Sequence, residues 1–148
     1  MIIRKGVKKD IPQVLDLIKE LAEFENAPDQ VTNTIERLEN DGFGNQPLYD
    51  LFVAESENKI IGMAITYFRY STWKGKNLYI EDLIINEKFR REGIGLKIFE
   101  ELKIFEIKSG TKAFDWVIPE EWNVNQAYIL DPNKKKICDF KKNNLHLV

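Results

Sequence analysis

Cysteine and histidine are almost missing from this chain: Cys138 and His146 stand alone among 148 residues. A single cysteine excludes an internal disulfide, and the pair cannot supply a cluster of the usual transition-metal ligands, so no metal is expected. From one cysteine and one histidine no Cys/His or Ser/His/Asp nucleophile set is expected. Cys138 reads as a small strand-core residue and His146 as a surface or strand residue. No uncharged apolar run approaches the roughly 18 residues of a membrane span. The opening Met1-Ile2-Ile3-Arg4-Lys5 has no signal-peptide hydrophobic region, so a soluble cytoplasmic protein is expected. Basic stripes interleaved with aromatics are also absent, which argues against nucleic acid as a partner. Repeats, linkers and low-complexity segments do not interrupt the chain.

What is present suffices for one full core: 43% hydrophobic and 11% aromatic residues over this length favour a single domain, residues 1–148. The net charge of -2 says little, but its distribution is uneven. Between Asp10 and Glu57 there are twelve acidic residues against the basic pair Lys19 and Arg37, whereas Lys88 to Lys112 holds seven basic and four acidic. A polyanion would prefer the second region and a cation the first. Solvated helix faces account for most of these charges one by one.

Residues 2–4 read as a short strand. Asp10 with Gln13 three positions on forms a capping box for a helix whose apolar face is Ile11, Val14, Leu15, Ile18, Leu21 and Ala22, ending near Phe24. Thr32 or Asn33 caps a second, shorter helix running through Leu38 and stopped by Asp41-Gly42. Residues 51–54 and 60–68 read as antiparallel strands around the turn Glu57-Asn58, with Gly62 marking a bulge or a close approach. Residues 114–118 read as a later strand, 122–130 as a short helix, and 137–148 as one or two closing strands.

The rest is organised around residues 76–108. Leu78, Ile80, Leu83, Ile84 and Ile85 form a buried-strand run interrupted by Glu81-Asp82. Phe89-Arg90-Arg91-Glu92-Gly93-Ile94-Gly95-Leu96 follows, and Ile94, Ile98, Leu102 and Phe105 then recur at helical spacing up to a Gly110 cap. A glycine loop thus opens a helix directly behind a strand. Free amides in the first helical turn, the positive end of the macrodipole and adjacent arginines favour a phosphate there. The spacing Arg90-x-x-Gly93-x-Gly95 is neither a P-loop nor the three-glycine dinucleotide fingerprint.

It resembles the acyl-CoA loop of the GNAT superfamily of N-acetyltransferases. The likeness extends to Leu17-Ile18-Lys19-Glu20-Leu21-Ala22-Glu23-Phe24-Glu25, to Asp41-Gly42-Phe43-Gly44, to the run Tyr67-Phe68-x-Tyr70-Ser71-Thr72-Trp73-Lys74-Gly75-Lys76-x-Leu78-Tyr79-Ile80-Glu81-Asp82, and to Trp122-Asn123. These segments are similar to the diamine acetyltransferases, the spermidine/spermine and thialysine enzymes. The resemblance implies a GNAT α/β (α+β) fold, a mixed central sheet flanked by helices. It also implies acetyl transfer from acetyl-CoA to a primary amine by direct attack in a ternary complex, and a homodimer. Carried over by position, Leu83, Ile84 and Ile85 would meet the pantetheine arm, Arg90 or Arg91, Glu92, Gly93, Ile94, Gly95 and Leu96 would hold the pyrophosphate, and Asn123 would approach from the other side. Phe24, Glu25, Glu81, Asp82, Trp116, Val117 and Ile118 would form the amine pocket, with packing in the helix core an equal reading for Phe24. Trp73 and Trp122 most simply pack.

Chemistry supports a carboxylate in that pocket. An amine with a lysine-like pKa near 10.4 must lose a proton before it attacks. Glu81 is the expected base. Strand alternation puts Glu81 and Asp82 on opposite faces, so only one enters the site unless a bulge re-aims the chain. The family's acid is a tyrosine seven positions after the Trp-Asn asparagine. Leu130 stands there, and Tyr128, two positions early, is rotated by roughly 200° on a regular helix, so it serves as acid only if that helix is rewound. Two other readings stay open: an acyl-CoA-binding module with little turnover, and an acetyltransferase acting on a protein or peptide amine.

Overall fold

The computed structural model describes residues 1–73, 75–110, 115–116, 138–141 and 144–147. Four strands, β1 (Ile2–Lys5), β2 (Asp50–Ser56), β3 (Lys59–Ser71) and β4 (Gly75–Ile85), form an antiparallel sheet in the order β1-β2-β3-β4. Three short strands, β5 (Asp115–Trp116), β6 (Cys138–Lys141) and β7 (Asn144–Leu147), form a second antiparallel sheet in the order β5-β7-β6. Helices α1 (Ile11–Phe24) and α2 (Ile35–Phe43) pack on one face of the first sheet and α3 (Ile94–Lys108) on the other. The expected α+β class, with helices flanking a sheet, is the one observed.

Covering both faces explains the near-continuous apolar runs in β2 and β3. In β2, Leu51 and Val53 join Val14, Leu15 and Leu38 beneath α1 and α2, while Phe52 and Ala54 join Ile98, Phe99 and Leu102 beneath α3. Period-two alternation therefore feeds two cores from one strand. Gly62 meets both conditions expected of it. The ladder slips from Ala54↔Gly62 to Glu55↔Ile60, leaving Ile61 as an extra residue, and a Cβ on Gly62 would collide with Ile85 Cδ1.

The start of α1 differs from its expected capping box. Asp10 makes no side-chain cap; its carboxylate accepts from the Val7 amide at 2.8 Å and from both terminal nitrogens of Arg4 at 2.8 and 3.0 Å, and Arg4 also reaches Glu55 at 2.7 Å. Gln13 Oε1 instead accepts from the Ile60 amide at 2.9 Å. A forked guanidinium is a stronger partner than a neutral helix amide, so Asp10 turns toward it. Burial alone would raise the Asp10 carboxyl, but the Arg4 and Val7 hydrogen bonds overcome this and hold it below the ordinary range.

The second helix is also displaced from the expectation. Thr34 is its cap, accepting from the Arg37 amide at 3.1 Å, and it runs past Leu38 to Phe43. Gly42 does not stop it. This glycine sits buried inside the helix because the Tyr49 ring lies where its Cβ would be, and the Tyr49 hydroxyl donates to the Leu38 carbonyl at 2.5 Å. The strands exceed their expected bounds, β3 reaching Ser71 and β4 starting at Gly75. At the far end of α3, Gly110 takes φ 76°, the left-handed turn expected of a helix terminator. The expected helix at 122–130, with Phe114, Val117 and Ile118, lies outside the described residues.

Candidate active site

The pair Glu81-Asp82 occupies a break in the β3–β4 ladder. Ile65 pairs with Asp82 and Thr66 with Ile80, so Glu81 has no partner residue and forms a bulge. The cause is visible in the packing. Ile80 belongs to the α3 core and Leu83 packs against the same core, although three residues apart, while Ile84 joins the α1 core. Strict alternation cannot place both Ile80 and Leu83 under α3. With the extra residue, Glu81 stands opposite in facing to Ile80, and Asp82 shares the facing of its partner Ile65. Both acidic residues therefore fall on the sheet face away from α3, Glu81 exposed and Asp82 half-buried. Tyr67 is on that face too. Burial raises its phenol, the Glu81 carboxylate raises it further, and Arg69 acts in the opposite sense.

Beyond β4 the chain makes a short turn, Glu87–Phe89, and enters the glycine loop. Glu20 of α1 fastens it: one carboxylate oxygen accepts from the Glu87 amide at 2.8 Å and from an Arg90 terminal nitrogen at 3.3 Å, the other from Asn86 Nδ2 at 2.8 Å. Arg90 Nε also donates to the Ile85 carbonyl at 2.9 Å, and its guanidinium lies 5.4 Å from the centre of the Phe24 ring. Arg90 is thus committed to holding the loop in place. Arg91 is exposed, with φ 68°, and Gly93 follows at φ 75° as the residue before α3. The first α-helical bond in this turn runs from the Lys97 amide to the Gly93 carbonyl at 3.2 Å, so the Ile94, Gly95 and Leu96 amides have no acceptor within the helix.

These elements enclose a groove of about 260 Å³. Leu21 and Phe24 line it from α1, Leu83, Ile84 and Ile85 from β4, Phe89, Arg90 and Arg91 from the loop, and Gly93, Ile94 and Gly95 from the start of α3. One end is apolar and the other carries a cation and free helix amides. That donor set suits a thin acyl chain terminated by phosphate, and a Cβ at Gly93 would project into open space within 4 Å of nothing else.

The structure brings together most of the residues singled out from the sequence. Glu92 is exposed between the two left-handed residues, and Leu96 is half-buried in the first turn of α3. Phe24 is exposed against Arg90 and lines the groove, and Glu25 is the exposed residue ending α1. Trp116 lies in β5, while Val117, Ile118, Asn123 and Tyr128 are outside the described residues. Glu20, Asn86 and Tyr67 were not singled out. Glu20 and Asn86 act through long-range hydrogen bonds that carry no local pattern. Tyr67 shares a face with Glu81 only through the strand register. Among the described residues, no group of three or more His, Cys, Asp or Glu is placed to hold a metal ion, and no helix is long and apolar enough to cross a membrane.

Residues 13–128 match the model of the acetyltransferase (GNAT) family. The chain belongs to that family. As a GNAT member it is an N-acetyltransferase, of a family that uses acetyl-CoA. Similar proteins include a thialysine N-epsilon-acetyltransferase from Bos taurus, 36% identical over 83% of this chain and 76% of the relative. A second, from Mus musculus, is 33% identical over 94% of this chain and 80% of the relative. Among solved structures, a possible acetyltransferase from Clostridium difficile 630 superposes with a TM-score of 0.73 at 16% identity, covering 99% of this chain and 97% of the other. An aminoglycoside acetyltransferase from an uncultured soil metagenomic sample, in complex with sisomicin, gives 0.69 at 22% identity, covering 95% and 93%. These two establish likeness of fold.

Proposed function

We propose that this GNAT enzyme acetylates a primary amine of a small acceptor, a polyamine, diamine or thialysine-like amine, by direct attack in a ternary complex with acetyl-CoA. The observation that carries this reading is the bulge at Glu81. It places two carboxylates on one sheet face immediately before the strand end that lines the groove. In this assignment the Ile94, Gly95 and Leu96 amides with Arg91 hold the pyrophosphate, and the backbone of Leu83, Ile84 and Ile85 pairs with the amide-bearing arm. Acetyl-CoA supplies an activated thioester. Glu81 accepts the amine proton, directly or through a water, and Asp82 keeps the acceptor's charge nearby. Transfer forms the N–C bond and breaks the C–S bond; CoA leaves as the thiolate, which with a thiol pKa near 8.5 departs readily and takes its proton from solvent.

The thialysine enzymes similar to this chain support the small-amine class. A homodimer and a cytoplasmic location are part of the same proposal and rest on the family resemblance. Thiol release from acetyl-CoA, followed against spermidine, spermine, putrescine, thialysine, lysine and a lysine-containing peptide, tests the reading, with acetyl-CoA binding measured on the same sample. Turnover of a free small amine is the expected result. Turnover confined to the peptide, or binding without turnover of any amine, overturns it.

A further inference from the structure

A carboxylate stands behind the anion end of the groove, where its charge is unfavourable. Glu20 does not line the groove, but Leu21 and Phe24 on the same helix do, and so does Arg90, which it grips. By its field alone, a negative charge there weakens the hold on a diphosphate and occupies an arginine that could serve it. What Glu20 supplies is geometry. Asn86 Nδ2 donates to one of its oxygens at 2.8 Å, and the Glu87 amide at 2.8 Å and Arg90 Nη2 at 3.3 Å donate to the other. These partners lie 66 to 70 residues further along the chain. Asn86 is anchored in turn, its own amide donating to the Ile61 carbonyl at 2.9 Å and its Oδ1 accepting from the Lys88 amide at 3.2 Å. The chain leaving β4 is thus pinned to β3 on one side and to α1 on the other before it turns through Arg91 and Gly93 into α3.

We propose that Glu20 is a positioning residue of the donor site: without touching the acyl donor, it clamps Asn86, Glu87 and Arg90, fixes where the Ile94, Gly95 and Leu96 amides and Arg91 stand, and so sets the affinity for acetyl-CoA. This rests on the reading of the groove as the donor site and adds a residue to it. The clamp requires a carboxylate. An ionised carboxylate only accepts, on two oxygens, and can take all three donors. A glutamine has one oxygen, and its NH2 group would face either the Asn86 donor or the Glu87 and Arg90 donors. Phe24, four residues on and so on the same face of α1, lies 5.4 Å from the Arg90 guanidinium at its ring centre, and the arginine is therefore held from two points of one helix.

Glu20→Gln, close in shape and one negative charge poorer, separates geometry from charge by sign. Loss of the clamp should raise the Kd of acetyl-CoA and of CoA about 10-fold, the low end for one hydrogen bond to a charged group. KM for acetyl-CoA should rise with it while kcat changes little. A field effect alone gives the opposite, tighter binding once a negative charge is removed and Arg90 is freed. Unchanged or tighter binding by folded Glu20→Gln overturns the inference. Asn86→Ala opens the same clamp from the loop side at constant charge and should also raise Kd; the double variant should bind little worse than the weaker single one, because both changes break one unit. Additive losses overturn the proposal, as does a lower stability in urea accompanied by wild-type Kd, which would make Glu20 a brace of the fold only. Should Glu20→Gln not fold, Asn86→Ala carries the test, and its normal affinity overturns the proposal. If no amine is acetylated, the transfer reading fails while the calorimetric Kd values still decide this one; normal turnover with unchanged Kd in the variants defeats this inference alone.

Discussion

Replacing Arg91 by glycine is expected to stabilise the fold and weaken acetyl-CoA binding together. Arg91 is held at φ 68°, a left-handed conformation that disfavours a residue with a Cβ by about 1–2 kcal/mol. Glycine removes that strain but adds freedom to the unfolded chain, worth roughly 0.4–1 kcal/mol. The net gain is on the order of 1 kcal/mol, or about 2–4 °C in Tm for a chain of this size. Binding should move the other way. One cation about 6 Å from a doubly charged diphosphate contributes on the order of 1–2 kcal/mol near a wet surface, a 5- to 30-fold rise in Kd. Because Arg91 is exposed and Arg90 is tied to Glu20, Ile85 and Phe24, the difference should shrink as salt is raised. Thermal unfolding and calorimetric titration at two ionic strengths read both effects. A lower Tm refutes the strain argument. An unchanged Kd at low salt removes Arg91 from the anion site and leaves the helix amides to hold it.

Three other substitutions probe separate parts. Glu81→Gln should lower kcat/KM by about 10²–10⁴ and shift its pH dependence, with acetyl-CoA affinity kept; unaltered turnover takes Glu81 out of the chemistry. Gly93→Val sets a β-branched residue at φ 75° and fills the space a phosphate would approach, so acetyl-CoA binding should be lost while circular dichroism still reports a folded chain; normal binding removes the loop from the site. Asp10→Asn should cost about 2–3 kcal/mol at pH 7, near the low end for a broken buried pair because Arg4 keeps Glu55. Since the folded Asp10 carboxyl is held low, its contribution is complete above its unfolded pKa near 3.9 and disappears as pH falls through the folded value. Urea unfolding should therefore show the wild-type advantage at pH 7 and pH 5 and a shrinking one at pH 3, and an advantage independent of pH contradicts the assignment.

Local pattern reached far in this chain. The strand at residues 51–54, the helical spacing of Ile94, Ile98 and Leu102, the terminator Gly110 and the glycine loop are all short-range features, and each appears where it was expected. The capping box failed because its competitors were invisible locally: Arg4 reaches Asp10 only once β1 is docked, and Gln13 finds its partner 47 residues away in Ile60. The second helix was cut short because Gly42 is ordinarily a terminator, and only the Tyr49 ring packed over it shows that bare backbone was needed within the helix.

The site divides in the same way. Sequence determined that two carboxylates precede a glycine loop and that an anion suits the start of α3, since both follow from residue type and spacing. It left open whether Glu81 and Asp82 share a face and which arginine stays exposed beside the groove. Tertiary packing decided both. The α3 core takes Ile80 and Leu83 together, which forces the extra residue at Glu81, and Glu20, 70 residues before Arg90, captures that guanidinium and leaves Arg91 exposed. Neither outcome is written in a local pattern, because the apolar run at Leu83, Ile84 and Ile85 suits either facing and adjacent arginines are chemically alike until a distant carboxylate selects one.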